Sequence, residues 1–143
     1  MSNYVPFDSL AGKTISRITG AEKGSAEVIL ETTDGYLYRM YHEQDCCENV
    51  EVEDVEGDIE DLIARPSVLA EEATRDREED VKAGVEIPDY EESYTWTFYR
   101  LATEKGFVII RWYGSSNGYY SEGVSLSREK NPNWVDPVAI WAN

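Results

Sequence analysis

The sequence predicts a single α+β domain built from antiparallel β-sheets: four strands in the N-terminal half, two short helices, then a three-stranded meander. Three observations lead there. Short runs alternate apolar and polar residues, as half-buried strands do. Asp34-Gly35 and Asn117-Gly118 sit between such runs, where a tight hairpin needs residues that tolerate positive φ. The chain of 143 residues is 41% hydrophobic and 12% aromatic, which is enough apolar surface for one core without disulfide staples.

Taken in order, Lys13 to Thr19 reads as a first strand anchored by Ile15 and Ile18. Ala26 to Thr32 is a clearer strand, and Thr33-Asp34-Gly35 turns it back into Tyr36 to His42. Alternation there places Tyr36, Tyr38 and Met40 on one face and Leu37, Arg39 and Tyr41 on the other. Asn49 to Asp54 alternates Val50 and Val52 with acids and makes the fourth strand. Asp58 is expected to cap a short helix carrying Ile59, Leu62 and Ile63. Pro66 then opens a second helix with Val68, Leu69 and Ala73. Residues 74–92 lack apolar periodicity and read as an acidic, mobile loop, with Ile87 and Pro88 docking its end. Ser93 to Leu101, Phe107 to Tyr113 and Tyr119 to Leu126 form the meander. The tail holds Pro132, Trp134, Pro137 and Trp141, and its two tryptophans are expected to pack on the body. No repeat or second domain is evident, so residues 1–143 read as one domain.

Charge narrows the function. The chain has 29 acids and 13 basic residues, a net of −16. Residues 43–92 hold 20 of those acids and 4 of the basic residues, so the rest of the chain is neutral. A chain of this charge does not bind nucleic acid through a general basic surface. No apolar run approaches the ~20 residues of a membrane helix, and Met1 to Pro6 lacks the pattern of a signal peptide. A cytoplasmic protein is expected. The acidic block reads either as a solvated face or as a surface that mimics nucleic acid and blocks a basic groove.

His42, Cys46 and Cys47 fall within six positions. Imidazole and thiolate are common zinc ligands, but no second Cys or His pair closes a tetrahedron, so no metal is expected. A disulfide between adjacent cysteines would be strained, and a reducing compartment disfavours it. The plain reading is one buried cysteine, with His42 satisfied locally. Nucleophile–base templates would have to use His42, whose neighbour Cys46 is only a local pair. No phosphate-binding glycine motif is present. No cofactor is expected, and an enzyme is unsupported.

The aromatic C-terminal third carries the candidate site. Eleven of the 17 aromatics follow residue 92. Alternation places Phe107, Ile109, Arg111 and Tyr113 on one strand face and Val108, Ile110 and Trp112 on the other. Arg111 thus interrupts an apolar strand and needs a partner, either a ligand or an acid of the middle segment. Rings beside arginine suit a small planar anion: Arg100 and Arg111 would hold phosphate, Trp96, Phe98, Trp112, Tyr119 and Tyr120 would stack a base, and Tyr113 belongs to the same ligand-binding set. Ser115 and Asn117 of the Ser115–Gly118 loop would read polar edges. The competing reading is an aromatic face packed into the core.

Four runs also resemble a known family: Tyr41-His42-Glu43-Gln44-Asp45-Cys46-Cys47-Glu48, Gly57-Asp58-Ile59-Glu60-Asp61-Leu62-Ile63, Tyr94-Thr95-Trp96-Thr97-Phe98-Tyr99, and Arg111-Trp112-Tyr113-Gly114-Ser115-Ser116-Asn117-Gly118-Tyr119-Tyr120. Together they are similar to a small domain family of unknown function encoded largely by bacteriophages and prophages. The resemblance spans most of residues 12–126 and departs in the acidic stretch 74–92 and after residue 128. It implies a phage accessory protein and supplies no catalytic residues. More loosely, the size and the aromatic-plus-arginine sheet are similar to phage anti-Thoeris and anti-CBASS sponges.

The expected function is therefore a non-enzymatic phage counter-defence protein. It would sequester a cyclic nucleotide or cyclic ADP-ribose type signal in the host cytoplasm, as a homo-oligomer. The alternative is an acidic inhibitor of a host nucleic-acid enzyme or defence complex. A cyclic-nucleotide hydrolase is a third reading.

Overall fold

In the computed structural model, residues 3–87 and 92–136 are described. Eight strands form: β1 (Ile15–Thr19), β2 (Glu27–Thr32), β3 (Tyr36–Tyr41), β4 (Asn49–Glu56), β5 (Leu69–Asp76), β6 (Ser93–Thr103), β7 (Gly106–Ser116) and β8 (Ser125–Lys130). One helix, α1 (Arg77–Ala83), and 3-10 turns at Phe7–Leu10 and Ile59–Leu62 complete the described elements. The strands make two four-stranded sheets, ordered β1-β2-β3-β8 and β4-β7-β6-β5, with every neighbouring pair antiparallel.

Strand alternation explains the core. Val28, Leu30, Tyr38, Met40 and Leu126 of one sheet and Val52, Tyr99, Leu101, Val108, Ile110 and Trp112 of the other join a single buried cluster. Phe7 and Leu10 of the first 3-10 turn and Leu62 of the second close it, with the Phe7 and Tyr99 rings 4.6 Å apart. The two sheets are linked at β4, where Gly24 N–H donates to the Val52 carbonyl and Val52 N–H to that of Ser25. There β4 carries an irregularity between Val52 and Asp54. An extra residue at such a point bends a strand and increases its twist.

The expected architecture is corrected at four places. The four N-terminal strands do not share a sheet, because β4 pairs with β7. The segment read as a second helix, Val68, Leu69 and Ala73, contributes strand β5 along β6, with Leu69 opposite Ala102 and Asp76 opposite Thr95. Residues 74–83 of the expected mobile loop are the end of β5 and helix α1. The Asp76 side chain caps that helix by accepting from Glu79 N–H at 2.9 Å, and Gly84 ends it at φ 77°. Finally, the third meander strand starts at Ser125, not Tyr119, and crosses to the other sheet to pair with β3.

Asp58 does cap its turn, accepting from Glu60 N–H, but the element is a single 3-10 turn. Trp134 packs on the body, with its indole N–H donating to the Thr33 carbonyl at 3.0 Å. Pro88, Pro137 and Trp141 lie outside the described residues. Among the described residues, no helix is long and apolar enough to cross a membrane.

Candidate functional site

The β4-β7-β6-β5 sheet turns one face to the core and leaves the other outside. Registry arranges the outer face in rows across β5, β6, β7 and β4. The first is Arg75, Trp96, Tyr113 and Glu51; the second is Ala73, Phe98, Arg111 and Asp54. The third is Glu71, Arg100, Ile109 and Glu56, and the last, at the Gly106 end, is Leu69, Ala102 and Phe107. Five of the sequence-predicted residues, Trp96, Phe98, Arg100, Arg111 and Tyr113, therefore share one open surface.

The rings interact. Trp96 and Phe98 are nearly parallel, at 8° with centroids 6.1 Å apart, and Tyr113 meets Trp96 edge-on at 4.8 Å. Ala73 is the cross-strand neighbour of Phe98 and leaves that side of the ring uncovered by a bulky residue. Arg75 lies over Phe98 at 6.0 Å while its Nε reaches Asp80 Oδ1 at 3.0 Å.

The arginines differ in their commitments. Arg111 spans two carboxylates, Asp54 at 2.6 Å and Glu56 at 2.7 Å. The hydrogen bond that it donates to Asp54, opposed by burial and aided by the Asp54 and Glu56 charges, holds its guanidinium above the usual range. A phosphate there would have to displace two acids. Arg100 is exposed, and no ion pair to it is found among the described residues.

Other predicted site residues are placed elsewhere. Trp112 is fully buried on the opposite face of β7, so its ring is not available to a surface ligand. Ser115 sits at the far end of the outer face, opposite Tyr94. That end is covered by α1: Tyr94 is buried and its hydroxyl donates to the buried Asp80. Burial first, then this carboxylate, pushes the Tyr94 phenol up. Asn117, Tyr119 and Tyr120 lie in the segment between β7 and β8. The Asn117 side chain accepts from Tyr119 N–H at 3.0 Å, and Tyr119 is 84% exposed. The segment is pinned by buried Glu122, which accepts from Ser93, Thr95 and Ser116.

The His42 cluster is built differently from its sequence reading. Cys46 and Cys47 are both exposed and joined to each other, so neither is the expected buried thiol. The His42 ring is buried and makes a distant bond, its Nδ1 donating to the Gly123 carbonyl at 2.7 Å. Its Nε2 lies 3.4 Å from Glu48 Oε1. Burial raises the Glu48 carboxyl, but Asp45 N–H, Cys46 N–H and His42 outweigh it and hold the group below its ordinary value. A cleft of about 600 Å³ opens beside His42, walled by Glu43, Gln44, Asp45, Ser121 and Ser125. Among the described residues, no group of three or more His, Cys, Asp or Glu side chains is placed to hold a metal ion.

Ala73 and Arg75 escape sequence reasoning because Leu69 and Ala73 are four residues apart, the spacing of a helix stripe. Glu71-Glu72 also breaks the alternation that signals a strand. Pairing with β6, not local pattern, makes this segment a strand.

Neither the curated proteins nor the solved structures contain a match. A protein-family match, in contrast, covers residues 8–126, from the first 3-10 turn into β8, and the chain therefore belongs to the family described as a domain of unknown function, DUF7448.

Proposed function

We propose that this is a non-catalytic binding protein whose outer β4-β7-β6-β5 face holds a planar, anionic, nucleotide-derived ligand. A phage protein that sequesters a cyclic nucleotide or cyclic ADP-ribose type immune signal in the host cytoplasm would work this way. The supporting observation is the Trp96–Phe98 pair, half-buried on that outer face and bordered by small Ala73 and by Arg100, which has no ion pair among the described residues. A base stacks on such rings for about 1–3 kcal/mol each, with little demand on its identity. Arg100 is the phosphate contact. Arg111 serves as a strut between β7 and β4, and Tyr113 buttresses Trp96.

To test this, the purified full chain is incubated with cyclic oligonucleotides and ADP-ribose derivatives, freed of unbound ligand, denatured and analysed by mass spectrometry. Recovery of an intact ligand, lost in a Trp96→Ala/Phe98→Ala variant and weakened in Arg100→Ala, supports the reading. Recovery of a processed product means an enzyme. No ligand from any member of the panel removes the proposal.

The order of the acidic stretch favours a second reading, a protein inhibitor of a basic groove. Glu71 and Glu72 stand on β5, while Asp76, Glu78 and Glu79 stand at the start of α1, so these charges are held on defined elements. Neutralising those five should abolish inhibition of the target while leaving a nucleotide site intact. Asp80 is kept in that variant because it is buried against Tyr94 and Arg75.

A further inference from the structure

Cys46 and Cys47 are the chain's two cysteines, and they are bonded to each other. Both are exposed, in the loop between Tyr41 at the end of β3 and Asn49 at the start of β4. A disulfide stabilises a fold by closing a stretch of chain and so restricting the unfolded state, and the effect grows with the length closed. Between neighbours there is almost no chain to close, so this bond ties no element to another. The buried cluster that joins the two sheets contains neither cysteine. The bond is therefore not a staple of the fold.

The loop is held without the sulfurs. Buried Glu48 accepts from Asp45 N–H at 2.6 Å and from Cys46 N–H at 3.1 Å. Gln44 Nε2 donates to the Cys46 carbonyl at 3.1 Å and to the Glu48 carbonyl at 2.7 Å. The Cys46 backbone is thus gripped at both its N–H and its C=O, and opening the S–S bond removes neither grip. Two thiols released there stay side by side, as re-formation of the bond requires. An exposed disulfide is also the kind that an incoming thiolate reaches.

We infer that Cys46–Cys47 is a redox-active pair, a modification site that cycles between disulfide and dithiol with low-molecular-weight thiols as co-reactant. One thiolate attacks an exposed sulfur, forms a mixed disulfide and releases the other cysteine, which takes up a proton. A second thiolate attacks the small-molecule sulfur of that mixed disulfide and releases the first cysteine, which is protonated in turn. Two electrons pass from two small thiols to the pair, and the small thiols leave as their own disulfide. The same loop walls the cleft beside His42 with Glu43, Gln44 and Asp45, so the change of state is made next to that opening. The inference uses neither the nucleotide reading nor its residues.

The test equilibrates the full chain in buffers of reduced and oxidised glutathione, quenches with acid, alkylates free thiols and reads intact mass. Parent molecules should carry either no alkyl group or two, and the second class should grow with the square of reduced over oxidised glutathione. Cys47→Ser leaves Cys46 without its resolving partner and should accumulate bound glutathione roughly tenfold above the parent. Thermal midpoints of the two parent states should agree within about 3 °C, because the bond closes no loop. A single state at every ratio, a glutathione adduct as the main parent species, disulfide-linked dimers, or no adduct on Cys47→Ser would each overturn the inference. So would a midpoint that falls well beyond that range on reduction, because the bond would then be a staple.

Discussion

Trp112 offers the sharpest test of which aromatics build the core and which face a ligand. It is fully buried, its cross-strand neighbours are Val52 on β4 and Thr97 on β6, and its indole N–H finds no hydrogen-bond partner among the described residues. Truncation to alanine removes the whole ring from a packed site and should cost about 3–5 kcal/mol. Phenylalanine removes only the outer part of the indole. That loss is worth about 2 kcal/mol in burial and residual cavity. It also deletes a buried donor whose desolvation costs about 1–3 kcal/mol when unpaired. The two effects largely cancel, so Trp112→Phe should cost less than about 1.5 kcal/mol, well below the alanine variant. Urea unfolding of the two variants and the parent, followed by far-ultraviolet circular dichroism, gives both values at matched slope. Nucleotide recovery should survive Trp112→Phe and fail in Trp96→Ala/Phe98→Ala. A phenylalanine variant as unstable as the alanine one would refute the offset. Loss of ligand at unchanged stability would refute the placement of Trp112 in the core.

Three further outcomes follow from local geometry. Gly57→Ala puts a Cβ 2.4 Å from the Phe107 carbonyl oxygen at φ 95°, so it should destabilise the chain by about 1–3 kcal/mol, read by calorimetry. Glu122→Ala strands the hydroxyls of Ser93, Thr95 and Ser116; a loss of roughly 2–3 kcal/mol is expected, with faster amide exchange confined mainly to residues 117–124. The folded Glu48 carboxyl lies below its ordinary 4.5. Its stabilising contribution is therefore present above the unfolded value and lost as pH falls through the folded one. The acid limb of a stability–pH curve should flatten in Glu48→Gln, and an unchanged limb would contradict the assignment.

The legible parts of this chain are those where local pattern and tertiary demand agree. Alternation in β3 and β7 sets Tyr38 with Met40, and Val108 with Ile110 and Trp112, on shared faces, and these residues are buried; which face turns inward, and so that Trp112 belongs to the core and not to a ligand, is not in the alternation. The bend at Asp34-Gly35 was equally readable, with Gly35 at φ 95°. Side chains four residues apart misled at Leu69 and Ala73, because a strand paired along its full length with β6 needs no alternation of its own. The outer face could be drawn strand by strand, but not across strands. Nothing local indicates that β4 supplies Asp54 and Glu56 to Arg111.

What the sequence determined by itself is therefore whatever depends on neighbours along the chain: strand periodicity, the turn at Asp34-Gly35, the cap at Asp58, the confinement of the net negative charge to residues 43–92 and the separation of Arg111 from Trp112. Only the tertiary structure decided which strands meet. It moved β4 beside β7 and β8 beside β3, turned 69–76 into an edge strand, and placed α1 over Tyr94. The physical reason is that a strand satisfies its backbone groups and buries its apolar face equally well beside several partners. The choice among them is made by the packing of the whole core. Trp96, Phe98 and Arg100 could be named from the sequence, but Ala73 beside them and the acids that occupy Arg111 come from distant strands.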